Sequence, residues 1–131
     1  MGDRAAFGFK NTKEGPTLWL YSHWGGSSQF KDLAEAISKA RPRWDQPDYA
    51  TRICISRIIG DQWASETGYG IEVGETCGIM LDWVQSAVVD WERKQVVIVN
   101  DIGVPIGEPF DFDTFIALAD ALEYGEYFIT A

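Results

Sequence analysis

Ala87-Val88-Val89-Asp90-Trp91, then Glu92-Arg93-Lys94, then Gln95-Val96-Val97-Ile98-Val99, is the stretch that decides the fold. Two runs of β-branched and aromatic residues flank a charged turn, which is the pattern of an antiparallel hairpin. Upstream, Ile71–Glu75 and Gly78–Trp83 have the same short-strand character. Earlier still, Thr17-Leu18-Trp19-Leu20-Tyr21 follows a Gly-Pro turn and reads as a buried strand. Between that strand and the later ones the period changes to that of helices. Phe30, Leu33, Ala34 and Ile37 fall at i, i+3, i+4 and i+7, one face of a helix running to about Ala40.

Pro42 stops the first helix within the connector Arg41–Asp48, and Asp45 can cap the next. A second helix is expected from about Pro47 to Ile59, packing Ala50, Ile53, Cys54 and Ile58 and ending at Gly60. Residues 61–70 make a polar and aromatic loop. Past the hairpin, Gly103, Pro105, Gly107 and Pro109 mark another loop. Asp111 or Asp113 then caps a third helix carrying Phe112, Phe115, Ile116, Ala119 and Leu122. Tyr127-Phe128-Ile129 reads as an edge strand or a cover for a partner. Residues 1–16, with Gly2, Gly8, Gly15 and Pro16, read as a loose lead-in or an edge strand. The expected architecture is α+β: a single domain over residues 1–131, its largely antiparallel sheet carrying about three helices mainly on one face.

Composition narrows the function classes. Hydrophobic residues make up 46% and charged residues 24%, a globular balance. No apolar run approaches the roughly 20 residues of a membrane span, and no signal-like segment follows Met1, so the expected location is cytoplasmic. The net charge of −9 is uneven: residues 1–57 hold nine Lys/Arg against six Asp/Glu, residues 58–131 two against fourteen. Such a chain is a poor general binder of DNA or anionic membrane, which require clustered cations. Cys54 and Cys77 form no CxxC, and Cys54 reads as a core residue. The lone His23 makes no metal site, so neither metal nor cofactor is expected. Six Trp among 14% aromatics leave several rings for pockets or subunit contacts.

Three segments carry candidate binding residues. In Tyr21–Ser28, Gly25 and Gly26 let the backbone approach a ligand, and Ser27-Ser28 opens a helix whose free N–H groups favour an anion. His23 adds a titratable donor and Trp24 a stacking plane; the plainer reading is a tight turn with Ser28 as N-cap. Arg41, Arg43, Arg52 and Arg57 supply the nearby cations. Arg52 lies one position from the apolar stripe and can turn toward a cleft, whereas Arg41 and Arg57 read as solvated or paired charges. In the loop, Trp63, Glu66, Thr67 and Tyr69 can stack a base and accept hydrogen bonds from ribose or an exocyclic amine. No nucleophile elbow is present, and no residue is assigned a catalytic role.

The blocks Tyr21-Ser22-His23-Trp24-Gly25-Gly26, Arg43-Trp44-Asp45, Tyr49 with Thr51-Arg52-Ile53, Glu66-Thr67-Gly68-Tyr69-Gly70 and Val88-Val89-Asp90 resemble a family of small phage and prophage proteins. The resemblance spans roughly residues 17–100, and residues 75–86 are longer than the family's link. It implies a viral accessory protein acting in the host cytoplasm, where such proteins often counter host defence. The chemistry of the three candidate segments and the aromatic excess make the leading expectation a homo-oligomer that sequesters a small phosphate-bearing nucleotide without catalysis. The alternatives are an acidic inhibitor or nucleic-acid mimic that blocks a host defence protein, and a small nucleotide hydrolase using His23.

Overall fold

Ala5, Phe7 and Phe9 alternate with Ala6 and Gly8, and this pattern produces a strand buried on both faces. In a computed structural model, which describes residues 4–23, 25–75, 85–100 and 102–121, that strand is β1 (Ala5–Lys10). The other strands are β2 (Leu18–Ser22), β3 (Tyr69–Val73), β4 (Ser86–Asp90), β5 (Gln95–Val99) and the short β6 (Phe110–Asp111). The α-helices among the described residues are α1 (Gln29–Lys39), α2 (Pro47–Ile59) and α3 (Phe112–Asp120).

The sheet order is β3-β2-β1-β4-β5-β6. Among the described residues only β1 and β4 run parallel, Phe7 opposite Ala87 and Phe9 opposite Val89; the other pairings are antiparallel. The α+β architecture is thus a mixed, mostly antiparallel sheet with its helices on one face. The expected hairpin is β4–β5, with Val88 opposite Val97. The proposed strand Gly78–Trp83, the tail Tyr127–Ile129, Leu122 and Cys77 lie outside the described residues.

One expectation for the N-terminal segment is corrected. Residues 5–10 are neither lead-in nor edge; β1 sits between β2 and β4. Gly8 is what permits this, because a Cβ there would stand 3.0 Å from each of Thr17, Trp19 and Val88, the last two on the neighbouring strands. Small and aromatic residues alternating about a glycine lack the β-branched run that signals an interior strand.

Side-chain alternation divides the core in two. Phe7, Phe9, Leu20, Val89, Val96 and Ile98 point to the helices, where they meet Leu33, Ile37, Cys54 and Phe115. Ala6, Trp19, Val88 and Val99 form a second cluster on the opposite face, against which Tyr21 and Val97 pack. Burial pushes the Cys54 thiol far up, as expected of a core residue.

Three tryptophans lock the elements together through their N–H groups. Trp91 donates to Thr51 Oγ1 at 2.8 Å, Trp44 to the Ile37 carbonyl at 2.9 Å and Trp19 to the Gly74 carbonyl at 3.0 Å. Phe112 meets both Trp44 and Trp91 edge-on, with centroids at 4.8 and 5.3 Å, so α3, the α1–α2 connector and the turn that follows β4 share one aromatic stack. Asp45 does not cap α2; Gln46 occupies the N-cap position and Asp45 instead pairs with Lys94 at 2.7 Å.

Asp111 does cap α3, accepting the Thr114 N–H at 2.7 Å. That backbone bond holds its carboxyl below the usual range. A carboxyl depressed in the fold contributes stability above its unfolded pKa of about 3.9 and loses it as pH falls through the folded value. Asp111→Ala should therefore lower the thermal midpoint near neutrality, with the deficit shrinking in acid. Circular-dichroism melts at about pH 7 and about pH 3 check this.

Candidate functional site

Sheet and helices part company at one corner. The helices leave the outer end of the β2–β3 pair uncovered, and a groove of about 550 Å³ opens there, within the size range of small-ligand sites. Its floor is apolar: Phe9 and Leu18 from the inner strands, Ile71 and Val73 from β3. Asp48, Thr51, Arg52 and Ile55 of α2 form one wall, because these four recur on one side of the helix. The turn from Asn11 to Pro16 closes one end, and Trp63 overhangs from the loop after α2.

The polar groups at this rim are few and differently committed. Asn11 donates to Asp48 Oδ1 at 3.1 Å, and the Thr51 hydroxyl is held by Trp91. Arg52 has no hydrogen bond or ion pair among the described residues, although Asp48 stands one helical turn before it. The other candidate arginines are engaged. Arg41 pairs with Asp113 at 2.6 Å and lies over Trp44, Arg57 pairs with Glu35 at 3.0 Å, and Arg43 donates to Gln46 at 2.7 Å above the Tyr49 ring. Trp63 also stands apart, 54% exposed and with no hydrogen bond from its indole among the described residues, unlike Trp19, Trp44 and Trp91.

The sequence therefore identified two members of the groove, Arg52 and Trp63. The remaining candidates are dispersed. Tyr21 lies on the helix-free face and its hydroxyl meets His23 Nδ1 at 2.8 Å. His23 is at the far end of β2 from Leu18, its backbone N–H bonded to the Gly68 carbonyl at 2.9 Å. Glu66 and Thr67 are exposed in the loop, and Tyr69 starts β3 with its ring partly buried against the core. Trp24 and the Ser27 side chain lie outside what the structure describes.

The glycine turn has its own internal chemistry. Gly25 fits tightly, since a Cβ there would stand 2.9 Å from Ser22 Oγ. Gly26 opens a 3-10 turn and its carbonyl accepts from the Gln29 amide at 3.2 Å. Ser28 occupies the N-cap position, yet its hydroxyl donates to Asp32 at 2.8 Å and leaves the helical N–H groups uncapped by it. The positive end of α1 thus already has a carboxylate in its first turn.

Residues missed in the sequence, among them Asn11, Asp48, Thr51, Ile71 and Val73, join the groove through long-range packing. One signal was available: Ile71 and Val73 alternate with Gly70 and Glu72, and that places two apolar side chains on one face of an edge strand. A second hollow of about 750 Å³ borders the opposite face, rimmed by Lys10, Lys13 and Arg93 but equally by Glu14, Glu75 and Asp90, so its charges cancel. No group of three His, Cys, Asp or Glu residues suited to a metal ion occurs among the described residues. No helix among them is long and apolar enough to cross a membrane. No family model, curated protein or solved structure matches the chain.

Burial raises the Asp32 carboxyl above its usual range, with the Ser28 hydroxyl offsetting part of the effect. A raised carboxyl means the native state binds protons more readily than the unfolded chain, so its contribution is lost as pH rises through the folded value. Asp32→Asn should gain stability relative to the parent as pH increases above the carboxylate range. The gain should stay below about 1 kcal/mol because the group is half exposed. Urea titrations across that window measure it.

Proposed function

We propose that the chain is a non-catalytic binding protein that captures a small anionic ligand with a planar body, nucleotide-like, in the groove between α2 and β3. The single observation that carries this reading is an arginine without a partner among the described residues, lining one groove with an exposed tryptophan over an apolar floor. A guanidinium in that position offers paired N–H donors to a phosphate. Trp63 offers a stacking plane, and the floor of Leu18, Ile55, Ile71 and Val73 excludes water from the ligand body. Asp48, already steadied by Asn11, has acceptor capacity for a sugar hydroxyl or an exocyclic amine.

Capture without turnover is favoured by what lies around the groove. It is lined by no histidine, and His23 is occupied with Tyr21 at the other end of β2. The resemblance to phage proteins would make the captured compound a host signal and the activity its sequestration in the infected cell.

Equilibrium dialysis against a nucleotide panel, followed by denaturation and chromatography of the released ligand, tests the proposal. Intact ligand is the expected result; altered ligand would point to catalysis, and no retention would sink the reading. A charge-assisted contact is worth about 1.5–3 kcal/mol, so Arg52→Ala should weaken binding on the order of ten- to a hundred-fold without unfolding the protein. Trp63→Ala should also weaken it, whereas His23→Ala and Arg57→Ala should bind like the parent. Affinity should fall only modestly with added salt, since one guanidinium is paired.

A further inference from the structure

We infer that the groove selects its ligand by phosphate number, holding a nucleotide with one phosphoryl group in preference to a polyphosphate, and that Asp48 is the residue that sets this limit. The inference rests on the proposed capture of a nucleotide-like anion in the groove. Among the described residues that line it, Arg52 is the one cation and Asp48 the one anion, so the lining carries no net charge. The two stand four residues apart on α2, a spacing that puts their Cβ atoms about 5–6 Å apart and suits an ion pair. None joins them: Asp48 Oδ1 accepts from the Asn11 amide at 3.1 Å, and Arg52 is left to a ligand.

A first phosphoryl group at Arg52 uses all the positive charge that the described lining offers. Lys13, in the turn that closes the groove, instead lines the hollow on the opposite face and pairs with Glu14 at 3.8 Å. Within that turn the Gly15 N–H is bonded to the Thr12 carbonyl at 3.2 Å, and Pro16 has no N–H. Thr12 and Thr51 carry the remaining side-chain hydroxyls of the lining, and both are neutral. The positive end of α2 is already met by Asp48 itself, in the first turn. At about 6 Å in water, repulsion between two unit charges is worth roughly threefold in affinity. Asp48 thus opposes each added phosphate charge about as strongly as Arg52 attracts it. The chain's net charge of −9 adds to the opposition.

Equilibrium dialysis of the full chain against the mono- and triphosphates of the common ribonucleosides, in a low-salt buffer with a chelator, tests the inference. The monophosphate should bind several-fold more tightly. Asp48→Asn keeps the side chain's size and an acceptor oxygen but removes its charge, at an exposed position. A triphosphate carries about two more negative charges than a monophosphate near neutrality, so the variant should shift the ratio of affinities toward the triphosphate by roughly three- to tenfold. A purely structural role for Asp48 would move both affinities together and leave that ratio unchanged. An unchanged ratio in the folded variant, or a parent that holds the triphosphate as tightly as the monophosphate, overturns the inference while the capture of nucleotides stands. If neither nucleotide is retained, the capture reading fails and this inference with it. Should the variant not fold, the parent's own preference decides.

Discussion

The parallel ladder between β1 and β4 is the joint on which everything else hangs. β3, β2 and β1 form one antiparallel set, and β4, β5 and β6 another; the backbone pairing that unites them in one sheet runs from Phe7–Ala87 to Lys10–Asp90. Forming it closes a long loop that includes α1, α2, β2 and β3, an entropic cost that local contacts do not offset. What offsets it is burial on both faces at once. Phe7, Phe9 and Val89 meet the helices, while Ala6 and Val88 join the cluster around Trp19. A larger residue at position 8 would press on that seam from β2 and β4 together.

The sequence was most legible where one period ran undisturbed. The Val-rich halves of the hairpin, the Phe30-Leu33-Ala34-Ile37 stripe and the bounds of the Pro47–Gly60 helix are carried locally and fold as read, although that helix buries Ile55 and Ile59 beside Ala50 and Cys54 and leaves Ile53 and Ile58 partly buried. β1 was not legible, because its interior place depends on a partner 80 positions away and on a glycine that looks like a breaker. The cap of α2 failed for a related reason: Asp45 is a good local candidate, but Lys94 arrives from the β4–β5 turn and takes its carboxylate.

Little of the candidate groove was legible. Arg52 and Trp63 were singled out by residue type, and both line the groove. The glycine turn looked equivalent in sequence yet lies at the far end of β2, because one strand separates its two ends by about 3.3 Å per residue. What distinguishes Arg52 from Arg41, Arg43 and Arg57 is tertiary: an acid or amide acceptor reaches each of the others. Asp48 is the natural helical partner for Arg52 but is held by Asn11 from the β1–β2 turn. That this guanidinium has no partner among the described residues is thus a property of the whole corner, not of its helix.

The interior position of β1 also sets a timetable for synthesis. Phe7 leaves the ribosome 80 residues before Ala87, its neighbour across the parallel ladder. At roughly 5–20 residues per second, that interval is on the order of ten seconds. Throughout it β1 can pair with β2 but keeps its other edge open, with Ala5, Ala6, Phe7 and Phe9 all apolar. The nascent chain therefore has a one-sided template for strand addition until the hairpin emerges. Slowing translation between α2 and β4 would lengthen that exposure and with it the chance that a neighbouring chain occupies the place of β4.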